Sequence, residues 1–393
     1  MVDLLNTIKR PAFRRDAAIA VGSLLIGIIA SPIFEDWYDT YLIQIFTNTT
    51  TPTRLAFLLQ NGDIETFDKE RRNFHEKIEF DGIDLSNNDL NGANLKSIIL
   101  RNVDLSDTIL ENIELSGSQI SGDLSNAMMK DASIDSAVLA RANLSNATLT
   151  NAFLFTTDLT RASLSNATLT NAFLGGADLT RAFLSNATLT NAVLSFATLT
   201  DGFLSGANLT NTNLRGADLT RAFLSNATLT NSSLAGVILM DANLNDANLA
   251  NANLFYADLT RAFLSNATLT NAVLGGADLT RAFLSGANLT NAMLFTADLT
   301  NAFLPGADLT NANLRDADLT NAFLSDANLI DADLSDANLI DADLTNANLG
   351  STNLTGSIFN CESLRTAILN NNTDRFHIVE FVNGTIMEIP HCK

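Results

Sequence analysis

The sequence predicts an all-β solenoid, and three observations carry that expectation. An apolar residue recurs every five positions over most of the chain. A longer similarity recurs at twenty, as in RAFLSNATLT at 181, 221 and 261. Leu, Ala, Asn, Thr, Ser and Asp make up most of the 393 residues, beside one Trp, three Tyr and three His. Such self-similarity belongs to a stack of repeated units rather than to an enzyme domain.

From Phe80 to Ile120 the apolar centres are spaced by five; one residue is then dropped, because Leu124 follows Ile120. From Leu124 to Leu369 the period does not break, giving 59 centres, of which only Phe80, Ile120, Met129, Ile134 and Phe359 are not Leu. Ala stands two residues before most of them, as in Ala142-Asn143-Leu144. A period of five fits neither a helix nor a plain strand. It fits a short extended stretch followed by a corner. Residues two apart in an extended stretch point the same way, so Leu and its preceding Ala face inward and the residues flanking Leu face outward. Each buried Leu contributes about 1.5–3 kcal/mol to a one-dimensional core.

These units resemble the A(D/N)LXX repeats of the pentapeptide-repeat family, over about three quarters of the chain. The resemblance, to a bacterial membrane-anchored member of that family, implies a right-handed quadrilateral β-helix with four pentapeptides per coil. At ~4.8 Å per coil, roughly fifteen coils would extend about 70 Å. The dropped residue before Leu124 is expected as a kink or bulge near 120–124.

Four segments are expected. Residues 1–46 are an N-terminal tail and membrane anchor, 47–79 a linker and helical cap, 80–370 the repeats, and 371–393 a C-terminal cap. Residues 17–34 carry no charge; Lys9, Arg10, Arg14 and Arg15 precede them and Glu35, Asp36 and Asp39 follow. Eighteen apolar residues just cross a bilayer core, and the charge bias predicts a single-pass helix with a cytoplasmic N-terminus and the repeats on the far side. A signal peptide cut after Ile28-Ile29-Ala30 is the nearest competitor; the length of the run and Pro32 favour an uncleaved anchor. Residues 54–77 read as helix, and the stretch running into Phe80 resembles the helical lead-in of many bacterial members. From Phe376 to Ile389, Asn383-Gly384 between apolar runs signals a hairpin that would cover the last coil.

Residues equal modulo twenty should stack in columns. One column holds Phe183, Phe203, Phe223, Phe263, Phe283, Phe303 and Phe323, just before the central Leu and therefore outward; it is the candidate interaction stripe. The bland reading of the same column is mutual stacking of the rings. A second face repeats Thr-x-Thr from Thr148/Thr150 to Thr268/Thr270; a third is apolar, with Phe153, Phe173, Val193, Val273 and Met293. The fourth carries Asp158, Asp178, Asp218, Asp258, Asp278, Asp298 and Asp318, five of them followed three residues later by an arginine from Arg161 to Arg281, with Arg141 below. Each Arg is expected to offset its nearby Asp, which is worth little per pair. Asn151, Asn171, Asn191, Asn211 and onward are expected to hydrogen-bond along the stack.

His75, His377 and His391 lie outside the repeats, Cys361 and Cys392 lack metal-site spacing, and no catalytic or phosphate-binding grouping stands out. The sequence therefore predicts no enzyme activity, cofactor or metal. A net charge of −20 disfavours direct nucleic-acid binding. The reading that fits is a non-catalytic, membrane-anchored scaffold with an unknown protein partner or self-association. The family resemblance supplies a runner-up, an acidic DNA mimic that binds a type II topoisomerase, since Phe80–Leu369 holds 29 acidic against 12 basic residues, a net of −17. Ice binding by the Thr array is a third.

Overall fold

The computed structural model describes residues 52–74, 77–359 and 367, together with the backbone of 379–380 and 386–387. The chain divides into two compact units, Met1–Phe57 and Leu58–Lys393; of the first, only the start of a helix is described. Residues 17–34, both cysteines and all three histidines lie outside the described residues. No described helix is long and apolar enough to cross a membrane.

Two short helices precede the repeats, α1 (Pro52–Gln60) and α2 (Ile64–Arg71). The helix expected over 54–77 takes the form of these two, separated at Gly62-Asp63. Gly62 takes φ +68°, a left-handed conformation that ends a helix at little cost, and the Asp63 carboxylate caps α2 by accepting the Thr66 N–H at 3.1 Å. Helix α2 buries Phe67 completely and grips the first coils by polar contacts. Arg71 donates to the Asn94 side chain at 2.9 Å and to the Lys96 carbonyl, while the Asn94 N–H donates to Asp68 at 3.1 Å.

The repeats begin as a parallel three-stranded sheet, β1 (Glu79–Asp81), β2 (Ile99–Asp104) and β3 (Gln119–Asp123). Beyond β3 each contact between coils is a single parallel bridge on each of four sides: Asp123↔Asn143, Met128↔Thr148, Ser133↔Phe153 and Val138↔Asp158 start the four columns. The bridges repeat every twenty residues as far as Asn338↔Ile358.

The corner explains why a pentapeptide suffices. Two residues after each central Leu the backbone is left-handed, as at Asn146 (φ 60°) and Asn226 (φ 59°), and the next N–H closes a turn, Ala147 to Leu144 at 3.1 Å. Positive φ at the third residue of a turn favours Gly, Asn and Asp, which fill most of these sites. Between corners the Leu amide bonds the next coil, as from Leu224 to the Asn243 carbonyl at 2.6 Å.

The interior is as expected: the central Leu residues from Leu85 to Leu354 are all but inaccessible, as are the Ala residues two positions earlier. Where Thr replaces that Ala, its hydroxyl donates to a backbone carbonyl one coil back, Thr212 to Leu189 at 2.9 Å and Thr352 to Leu329 at 2.8 Å. Ser232 and Ser357 instead donate within their own turn. Buried hydroxyls are therefore satisfied, except that of Ser118.

The dropped residue sits in β3. Leu100 faces Ile120, but the next pair is Val103 with Gly122, so Arg101 and Asn102 oppose Ser121 alone. This two-against-one bulge lies on β2, and from there Ile109↔Met128 is a nineteen-residue step before twenty resumes at Asp123↔Asn143. Gly122 permits it: its φ is +143°, and a Cβ there would lie 2.0 Å from the Val103 carbonyl oxygen. At the other end, β4 (Val379–Glu380) pairs antiparallel with β5 (Ile386–Met387), flanking the expected Asn383-Gly384 turn, which lies outside the described residues.

Candidate interaction surface

The Phe column points outward. Each ring follows a buried Ala (Gly202 in the case of Phe203) and precedes a buried Leu, so the extended backbone turns it away from the core. Phe183, Phe223, Phe263, Phe283, Phe303 and Phe323 are between 39% and 46% exposed, and Phe203 is half-buried between neighbours. Phe183, Phe203 and Phe223 stack nearly parallel at 4.9 and 5.2 Å; Phe263 and Phe283 do so at 5.0 Å. Phe303 tilts against both Phe283 and Phe323 by more than 50°. Asn243 interrupts the column between Phe223 and Phe263. Stacking covers ring faces and leaves the edges in water, so the rings stack on one another and stay partly exposed.

The apolar third side expected from the sequence continues into a corner that sequence reasoning missed. Phe153 and Phe173 stack at 5.1 Å on the third side, and the corner beside them carries Phe155, Phe196, Phe255, Tyr256 and Phe295. Phe196 and Tyr256 are 71% and 66% exposed and hold left-handed backbone, which bulky residues rarely adopt. Glycines stand against these rings: a Cβ on Gly216 would meet Phe196 at 2.7 Å, and one on Gly276 would meet Tyr256 at 2.4 Å. Reading the corner modulo twenty would have revealed the pairing of aromatic and glycine.

The arginines also find different partners from those expected. The aspartates three residues before them serve as turn residues: Asp178 and Asp218 accept the N–H groups of Thr180 and Thr220 at 2.9 Å. Three of the arginines, Arg181, Arg221 and Arg261, instead meet acids in their own corner column. Asp201 lies between Arg181 and Arg221, and Arg221 grips it at 2.7 and 3.1 Å. Arg261 holds Asp241 by two bonds of 2.7 Å. The hydrogen bond from Arg221 holds the Asp201 carboxyl below its usual range, and Arg261 does the same for Asp241. Side chains stacked ~4.8 Å apart are closer than those three residues along a corner, so the column supplies the partner. Both aspartates were passed over because the sequence was read along the chain rather than down the stack.

The Asn ladder forms: Asn171 donates to Asn151, Asn191 to Asn171 and Asn211 to Asn191 at 3.1 to 3.2 Å. The Thr side is half-buried and broken by Asn208 and Asn248. Among the described residues no cluster of His, Cys, Asp and Glu could hold a metal ion. A hollow of about 680 Å³ between the α1–α2 break and Asn87–Asn91 is open and lined chiefly by amides.

A family profile for pentapeptide repeats matches residues 78–118, 123–154, 157–195 and overlapping segments onward to 360. The chain belongs to the pentapeptide repeat family. The fold of this family is the right-handed quadrilateral β-helix, in accord with four bridged columns per coil. Among solved structures, this pentapeptide repeat protein is 32% identical to HetL, a pentapeptide repeat protein involved in heterocyst differentiation regulation from the cyanobacterium Nostoc sp. strain PCC 7120. That match covers 67% of this chain and 92% of HetL, with a TM-score of 0.18. A pentapeptide repeat protein from the Arabidopsis thaliana thylakoid lumen is 24% identical, over 26% of this chain and 68% of its own, with a TM-score of 0.21. QnrB1, a plasmid-mediated fluoroquinolone resistance protein, is 16% identical, over 63% of this chain and 95% of its own, with a TM-score of 0.27. No curated protein matches the chain.

Proposed function

We propose that this pentapeptide repeat protein is a non-catalytic interaction scaffold, anchored in a membrane by residues 17–34 and contacting its partner through the Phe column. The observation that carries the reading is the outward column itself: seven rings on one side, edge-exposed, on a regular backbone. Wet apolar surface costs roughly 25 cal/mol per Å², and docking removes that cost. The anchor rests on the uncharged run between basic and acidic flanks, which also favours the repeats lying on the far side of the membrane. The acidic-mimic reading has less support, because arginines from Arg141 to Arg281 interrupt the acidic surface and tie up Asp201 and Asp241.

Photo-crosslinking in cells tests the contact surface. A benzoylphenylalanine at Phe223 is expected to give protein adducts, and one at Thr228, on the adjoining side, to give none. A chain that yields no adduct from Phe223 would end this reading. The anchor is tested apart from it: the full chain is expected to stay in membranes after a high-salt wash, and deletion of residues 1–46 to release it. Recovery of the intact chain as soluble protein would remove the anchor.

A further inference from the structure

The Phe column and its flanking corner share a hidden symmetry. Asn243 is the midpoint: Phe223, Phe203 and Phe183 lie one, two and three coils to one side, and Phe263, Phe283 and Phe303 lie the same distances to the other. The corner beside the rings, read in the same direction, runs Arg141, Arg161, Arg181, Asp201, Arg221, Asp241, Arg261, Arg281, Asn301, Asn321, Asp341. Reversed about Asp241, this column sets Arg141 against Asp341, Asp201 against Arg281, and Arg161 and Arg181 against the neutral Asn321 and Asn301. We infer that the Phe side is the interface of an antiparallel homodimer whose two-fold axis passes through Asn243. The inference rests on the proposed role of the Phe column and names its partner as a second copy of this chain.

Geometry separates the two ways of pairing these sides. When two copies meet side to side with their axes parallel, a two-fold operation places the arginine corner of one against the opposite corner of the other. That opposite corner carries chiefly Ser and small or amide residues, such as Ser185-Asn186, Ser205-Gly206 and Ser225-Asn226, and its two aspartates, Asp246 and Asp326, stand level with Asp241 and Asn321, so neither answers an arginine. When the axes are antiparallel, each corner meets its own kind in reverse order. The arginine corner then becomes complementary away from the axis, and the serine corner meets chiefly serine, glycine and asparagine, with Asp326 against Asn166, which permits close approach. The rings pair Phe183 with Phe303, Phe203 with Phe283, and Phe223 with Phe263, and Asn243 meets its own copy, amide to amide.

Like charges meet only near the axis. Arg221 opposes Arg261, and Asp241 opposes its own copy, but both arginines already hold a carboxylate within their own chain, and Asp241 is held by Arg261. Asp246 also faces itself across the other corner, where the Asn266 amide donates to it at 3.2 Å. From Asn143 to Asp343 the side spans ten coil steps, about 48 Å at ~4.8 Å each. A contact of this length needs no new segment to fold, because both surfaces exist beforehand.

Single cysteines distinguish the arrangements, placed in the full chain carrying Cys361→Ser and Cys392→Ser and held in mild detergent. With a short bismaleimide, Asn243→Cys is expected to link to itself, Ser163→Cys alone is expected not to, and Ser163→Cys mixed with Phe323→Cys is expected to link. Failure of Asn243→Cys to link, or equal linking by Ser163→Cys alone, overturns the antiparallel dimer. Sedimentation supplies a second readout that does not depend on cysteine chemistry. Arg141→Asp is expected to weaken the dimer about tenfold, and adding Asp341→Arg to restore it. A swap that restores nothing also overturns the proposal. Adducts from Phe223 to a different protein, with no Asn243 link, would reject the second copy yet leave the scaffold reading standing; loss of both rejects both.

Discussion

Leu224→Ala is expected to destabilise the repeats by about 2–5 kcal/mol, because a fully buried side chain leaves a cavity that rigid neighbours cannot fill. The neighbours above and below are also Leu, Leu204 and Leu244, each held by its own coil. The coils cannot close in, since backbone bonds between them, such as that of 2.6 Å from the Leu224 amide to the Asn243 carbonyl, fix their separation. Thr228→Ala, four residues on, removes a half-buried outward side chain and is expected to change stability by less than about 0.5 kcal/mol. Thermal unfolding followed by circular dichroism compares the two. Hydrogen exchange should place the loss in the coils around Leu224 first, because each coil touches only its neighbours. Equal melting shifts for the two variants would show the inside and outside to be wrongly assigned.

Gly122→Ala is expected to cost about 3 kcal/mol or more, although it adds one methyl group. Its φ of +143° lies in a region that residues with a Cβ scarcely enter, and the new carbon would sit 2.0 Å from the Val103 oxygen and 2.6 Å from the Val103 nitrogen. Both atoms are backbone, so the strands themselves must separate at the bulge. Gly306→Asn is the control: φ is +65°, nothing lies within 4 Å, and asparagine accepts that conformation readily. Comparable melting temperatures for the two variants would mean that the bulge tolerates a side chain and that the dropped residue is absorbed elsewhere.

How far the sequence reveals this molecule depends on the direction in which it is read. The five-residue period was legible because Leu and Ala repeat with little variation, and burial obeys that period from Leu85 to Leu354. The bulge was legible to within a residue or two because one missing residue must be absorbed where the phase slips. The helix break was not, since Gly62-Asp63 is short and the surrounding residues are good helix formers; the capping bond to Thr66 decides it. The Phe column came directly from counting modulo twenty. The Asp201 and Asp241 pairs did not, because an aspartate three residues away in sequence drew attention from one twenty residues away in space. The aromatic corner went unread for a related reason: a ring and the glycine beneath it are uninformative singly, and only their alternation in the stack has meaning.

Coils that bond only to the coils above and below give the molecule a graduated scale. Every outward side chain from Asn143 onward has an address made of a side and a level, and the level changes by one for each twenty residues. Adding or removing twenty residues moves everything beyond by one graduation, with no atom of the interior left without a partner. Adding five residues rotates the remainder by one side, so that rings move to a side that held threonines. The slip at Ser121 escapes this rule because the bulge on β2 absorbs it, so that the sides stay in line through one nineteen-residue step, Asp104 to Asp123 and Ile109 to Met128. The spacing between two groups held on one side is therefore written in residue numbers, and a partner that must span two such points can be matched only in whole coils.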